Sequence, residues 1–155
     1  CSNFRPMRSL LFLYAFIIVF SSCGSNKKEE SEIPVTETYL WEAGLNDSTG
    51  VLEMKKIVSL AVDSLSVVSV TNYINGEDSN IKLEYVKTSG DTIFLKIPDA
   101  EYLTQRMGSS GPTMYLAGVV YNFTELPGIK YVNLDFEEGD HAQPGTYTRE
   151  NFSNN

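Results

Sequence analysis

Residues 81–87 and 92–97 alternate apolar and polar side chains on either side of Thr88-Ser89-Gly90-Asp91. A period of two, interrupted by a short glycine-containing turn, predicts a β-hairpin. Ile81, Leu83 and Tyr85 share a face of the first arm, and Ile93, Leu95 and Ile97 a face of the second. Pro98 removes a backbone donor and ends that arm. The period then lengthens. Leu116, Val119, Val120 and Phe123 recur at three- and four-residue spacing, which predicts a helix over 113–126 with one apolar stripe. Pro127 and Gly128 stop it, and alternation returns over 129–136, with Val132, Leu134 and Phe136 on one face. A helix turning tightly into a strand predicts a helix laid across a sheet.

Residues 35–42 are β-prone, with Val35, Glu37, Tyr39 and Trp41 on one face and Thr36, Thr38, Leu40 and Glu42 on the other. Neither face is cleanly apolar, so the segment reads as an outer strand. Asn46-Asp47-Ser48-Thr49-Gly50 is a turn signal. A second strand follows over 51–61, with Leu52, Met54, Ile57 and Val58 as core candidates. Asp63 or Ser64 is placed to cap a helix running to Asn75, with Gly76 in the C′ position. One side of it carries Leu65, Val68 and Asn72; Val67, Val70 and Ile74 lie beside them. Its content of Val, Ser and Thr leaves a strand as the rival. A short helix is expected over 99–107, before the glycine-rich break at 108–112. Residues 137–155 are polar, contain Gly and Pro, and read as surface loop. The order is β-β-α-β-β-α-β, an α+β domain with a small, mostly antiparallel sheet and helices packed on one face.

The N-terminal region carries an address. Arg5 and Arg8 give a basic start, residues 10–20 are an unbroken apolar run, and Ser21-Ser22 are small. Such a run is too short to span a bilayer, which needs about 20 residues. Met7 is a plausible true start. The run 20–23, Phe-Ser-Ser-Cys, resembles the lipobox of a bacterial lipoprotein. That resemblance implies a signal peptide over 1–22, lipid attachment at Cys23 and a lipidated tether over 23–34. Several acyl chains hold a protein stably where one holds it only marginally. Gly24 is unlike the Asp that retains some lipoproteins at the inner membrane, so an outer-membrane location is expected, periplasmic or surface-exposed. Lys28-Glu29-Glu30 resembles a surface-export signal but lies far from Cys23, and a solvated tether is the other reading.

Composition sets the remaining bounds. Losing Arg5 and Arg8 from 12 basic residues leaves 10 against 20 acidic ones, a net charge of −10. An acidic domain repels nucleic acid, and no nucleic-acid partner is expected. The chain has two cysteines, Cys1 and Cys23. With Cys1 removed and Cys23 lipidated, the folded part holds no disulfide and no thiolate metal site, so its core has to carry its stability.

Residues 115–132 (Tyr-Leu-Ala-Gly-Val-Val-Tyr-Asn-Phe-Thr-Glu-Leu-Pro-Gly-Ile-Lys-Tyr-Val) resemble the last helix and strand of the sporulation and germination (GerMN) domain. The hairpin over 81–97 and the helix over 64–76 fit its preceding segments, so the resemblance covers 35–136 and is specific in its final third. Here Glu137-Glu138 stand where a glycine often follows the family's last strand, with Gly139 a step late. The resemblance implies a domain that associates with protein partners or with itself, no catalytic residues and no cofactor. The ring-building role in spore formers transfers least.

Several residues could carry chemistry. His141 is the only histidine and has Glu137, Glu138 and Asp140 near it, but the run lacks calcium-loop spacing, and a solvated acidic loop is the expected reading; no metal site is expected. Gly108-Ser109-Ser110-Gly111 is one residue short of a nucleophile elbow and lacks the lysine of a phosphate loop. No catalytic residue is therefore assigned. Tyr39, Trp41, Tyr85 and Phe94 fill a sheet core or form an aromatic platform. Asp47-Ser48-Thr49, Asp63-Ser64-Leu65 and Asp91-Thr92-Ile93 resemble an O-glycosylation motif. The expected function is non-enzymatic protein–protein association in an envelope assembly, with Tyr115, Tyr121, Tyr39 and Trp41 as candidate contact surface. The alternative is a carbohydrate- or peptidoglycan-binding module, which leaves a glycan partner open. An envelope hydrolase built on His141 and its carboxylates is the third reading.

Overall fold

A computed structural model describes residues 37–61 and 65–153. The address segment and Cys23 lie outside the described residues, as do Val35, Thr36, Asp63 and Ser64. The described residues fall in one compact unit.

The fold is α+β. The strands divide into two sheets, where one was expected. β1 (Glu37–Leu45) and β2 (Leu52–Ala61) form an antiparallel hairpin on their own. α1 (Val67–Glu77) follows, then β3 (Glu84–Ser89), β4 (Thr92–Lys96), a π-helical turn (Tyr102–Arg106), α2 (Gly111–Phe123), β5 (Tyr131–Asp135), β6 (Gly145–Tyr147) and a 3-10 turn (Arg149–Phe152). The second sheet has the order β3-β4-β5-β6. β4 and β5 are parallel because α2 carries the chain back across the sheet between them; the other pairs are antiparallel.

Local chemistry explains most boundaries. The β1–β2 turn is held by Asn46, whose Oδ1 accepts the N–H groups of Ser48 and Thr49, both at 3.0 Å. The β3–β4 turn narrows to Gly90-Asp91, with Ser89 opposite Thr92. Gly90 takes φ 61°, the left-handed value a tight hairpin turn requires. Ser66 is the observed cap of α1. Its side chain accepts from Ser69 N while Ser69 Oγ accepts from Ser66 N, a reciprocal capping box. Gly76 lies inside α1, which runs on through Glu77.

The core lies between the inner face of the four-stranded sheet and the helices. Ile93, Leu95, Val132 and Leu134 point inward at every second position and meet Val119, Val120 and Phe123 of α2. α1 contributes Val70 and Ile74, and Leu65 just ahead of it is buried too, whereas Val68 is 68% exposed and Asn72 is exposed, so the row expected through Leu65, Val68 and Asn72 is buried only at Leu65. In β2, Leu52 and Met54 reach the core but Ile57 and Val58 do not. The ladder slips there: Leu40 faces Val58 and Trp41 faces Lys56, leaving Ile57 as the extra residue of a bulge.

The segment 137–155, expected as loop, builds structure. β6 closes one edge of the sheet, and Ala142 and Phe152 are buried. Tyr147 stacks on Phe152 at 6.0 Å. Its alternation is too short to register as a strand signal.

Phe123 is fully buried at the centre of the apolar stripe. Phe123→Ala is expected to destabilise the domain by about 3–5 kcal/mol. Val68→Ala, on the exposed side of α1, is expected to change stability by less than about 0.5 kcal/mol. Urea unfolding followed by circular dichroism checks both.

Candidate functional site

Asn122 sits on the face of α2 turned toward β1 and is fully buried. Its Oδ1 accepts the Trp41 N–H at 2.9 Å, and its Nδ2 donates to the Trp41 carbonyl at 2.9 Å and to the Gly118 carbonyl at 2.8 Å. The amide acts as a one-residue strand partner and fixes β1 onto α2. Asn75 repeats the device in α1: its Oδ1 accepts from Leu83 N at 2.8 Å and its Nδ2 donates to the Leu83 carbonyl at 3.0 Å.

The Trp41 ring is held on several sides. Its Nε1 donates to Glu125 Oε1 at 2.8 Å, and its edge meets Tyr121 with ring centres 5.2 Å apart. Arg149, from the 3-10 turn, donates to Glu125 at 2.6 Å, to Thr124 Oγ1 at 2.7 Å and to the Tyr121 carbonyl at 2.9 Å. Its guanidinium lies 4.8 Å from the centre of the Tyr121 ring. Lys56 covers Tyr39 at 3.9 Å and reaches Trp41 at 5.4 Å, because the bulge sets it opposite Trp41. Three of the four expected contact aromatics, Tyr39, Trp41 and Tyr121, therefore come together, but around internal partners. Tyr85, the third ring of the glycan reading, stands on β3 in the other sheet.

Tyr115 lies in a groove of about 220 Å³ between β1, α1 and α2. Trp41, Tyr73, Met107 and Met114 also line it, and Glu42, Glu77 and Asp78 are the acidic members of its wall. The Tyr115 hydroxyl oxygen is shielded from solvent with no hydrogen-bond partner among the described residues. Burial, and then the Asp78 carboxylate, raise the pKa of Tyr115 above the ordinary phenol value. Tyr73 is pushed up to about 12 by burial, then by Glu77 and Glu42. Both phenols therefore keep their protons at neutral pH.

The remaining candidates scatter. His141 is exposed, and its backbone N–H donates to the Thr104 carbonyl at 3.2 Å, pinning the acidic loop to the π-helical turn. Gly139 in that loop passes so close that an added Cβ would stand 2.5 Å from Thr104 Cβ. No cluster of three His, Cys, Asp or Glu able to hold a metal occurs among the described residues. Ser109 and Ser110 belong to the approach to α2. Ser48 and Thr49 are exposed on the hairpin turn, while Thr92 is half-buried in β4. Sequence reasoning missed Asn122, Asn75 and Arg149. The available signal was an amide three residues after Val119, inside the arc the apolar stripe buries.

Asn122→Leu leaves the Trp41 N–H without its partner and the Trp41 carbonyl with only the Tyr73 hydroxyl at 3.4 Å, and is expected to cost at least about 1–3 kcal/mol, read from urea unfolding. The raised phenol pKa values set the sign of an alkaline effect. The unfolded chain releases these protons near pH 10.0 and the folded chain releases that of Tyr73 near 12, so stability falls as pH rises between those values. Tyr73→Phe is expected to flatten that fall in unfolding curves measured across the window.

Compared with family models, with curated proteins and with solved structures, the chain finds no match in any of the three.

Proposed function

We propose that the chain is a non-enzymatic lipoprotein of the outer membrane, anchored through Cys23, whose GerMN-like domain acts by protein–protein association in a cell-envelope assembly. The address segment and Cys23 support the location. The passage from α2 into β5 fits the family's most specific stretch. The observation that carries association is β3. It is the outermost strand of its sheet, and every residue after Glu84 is exposed, with Tyr85 46% and Val86 55% accessible. An edge strand with unpaired backbone groups and apolar side chains offers a partner both hydrogen bonds and burial. Val86 is the extra residue of a bulge, between Tyr85 opposite Leu95 and Lys87 opposite Phe94. A bulge twists an edge away from open-ended stacking, which favours a closed, specific contact over a fibre.

Sedimentation velocity on the full chain across a wide concentration range tests the edge. The expected result is reversible self-association that Tyr85→Ser with Val86→Lys weakens by about tenfold or more, corresponding to about 1.4 kcal/mol. A strict monomer at every concentration overturns pairing with a second copy at this edge.

A further inference from the structure

Gly118 lies in the middle of α2, where glycine weakens a helix relative to alanine. A Cβ built on it meets nothing within 4 Å. Gly111 in the same helix differs, because its Cβ would stand 2.6 Å from Met107 Cβ. Packing therefore requires glycine at 111 and not at 118. What Gly118 leaves is space, and the space is the groove between β1, α1 and α2.

The groove has a definite chemical character. Met107, Met114 and Ile74 give it apolar, polarizable walls. Tyr73 adds a ring whose face attracts a cation, and Trp41, already approached by Lys56 and Arg149, adds aromatic surface. Glu42, Glu77 and Asp78 bring negative charge. Lys55 faces Glu42 across the ladder, yet among the described residues no Lys or Arg lies within ion-pair distance of these three carboxylates. The Tyr115 ring lines the groove, while its hydroxyl oxygen is shielded from solvent and lies off the open surface.

We propose that this groove binds a small organic cation, an ammonium group on a short apolar stem. The stem lies along the methionines and Ile74. The ammonium is held at the groove's acidic wall by the field of Glu42, Glu77 and Asp78. An organic anion of the same size meets three carboxylates and is rejected; a neutral alcohol gains the apolar contact alone. The site is separate from the β3 edge and does not depend on association.

Trp41 is the only tryptophan and lines the groove, so its fluorescence reports occupancy. The full chain is titrated with hexylammonium chloride, and in parallel with hexan-1-ol and sodium hexanoate. The expected result is a saturable change with hexylammonium, binding about tenfold weaker for the alcohol, and none for the carboxylate. Glu42→Gln with Glu77→Gln is expected to weaken hexylammonium binding about tenfold. Gly118→Leu, which improves helix propensity while filling the space, is expected to abolish binding without lowering the unfolding midpoint. No saturable change with hexylammonium, equal binding of the alcohol, or undiminished binding by the charge-neutralised variant each overturns the proposal.

Discussion

One buried side-chain amide pins the backbone of the hairpin to the main body. β1 and β2 make a two-stranded sheet, and such a ribbon is marginal in water unless something packs against it. Asn122 supplies the tie. It satisfies both backbone groups of Trp41 from inside α2 and spends its remaining donor on Gly118. A buried amide is tolerable only when its polar atoms are paired, so Asn122 and Trp41 specify each other. A shift of one residue along β1 would leave the amide facing the wrong groups, and the cost of that error fixes the register of the hairpin on the helix.

Other features follow from that placement. Once Trp41 is fixed over α2, its indole N–H reaches Glu125 and its ring meets Tyr121. Arg149 then completes a layer in which Glu125, Thr124 and the Tyr121 carbonyl all accept from one guanidinium. The bulge at Ile57 brings Lys56 opposite Trp41, so an irregularity in the ladder decides which cation covers the aromatic face. The same docking leaves β1 standing off α1 across a groove rather than sealed against it. Asn75 holds Leu83 by the same pairing, which ties the end of α1 to the strand that follows.

Much of this was legible in the residues. The alternation around Gly90 located β3 and β4, and the stripe through Leu116, Val119, Val120 and Phe123 located α2, because burial repeats there at the period of the backbone. The division into two sheets was not legible. Periodicity tells a strand which face is inward but not which strand it pairs with. Ile57 and Val58 looked like core because the bulge that exposes them is a property of pairing with β1. The Gly145–Tyr147 strand was hidden by its shortness. Tyr115 was picked out as a surface aromatic, and the structure instead places it in the groove with a shielded hydroxyl. The clamp residues were hidden for a different reason: a buried asparagine is recognised by its partner, and Trp41 lies far away in sequence.

The geometry of the Asn122 clamp also has a mechanical side. Backbone N–H and C=O groups stand across a strand, not along it. A pull on the chain ahead of β1 therefore loads the two Trp41 contacts sideways, and with them the ladder to β2. Bonds loaded in shear share the force and yield together, whereas bonds pulled end-on open one after another. The first described strand therefore meets tension from its N-terminal side with all of these bonds at once.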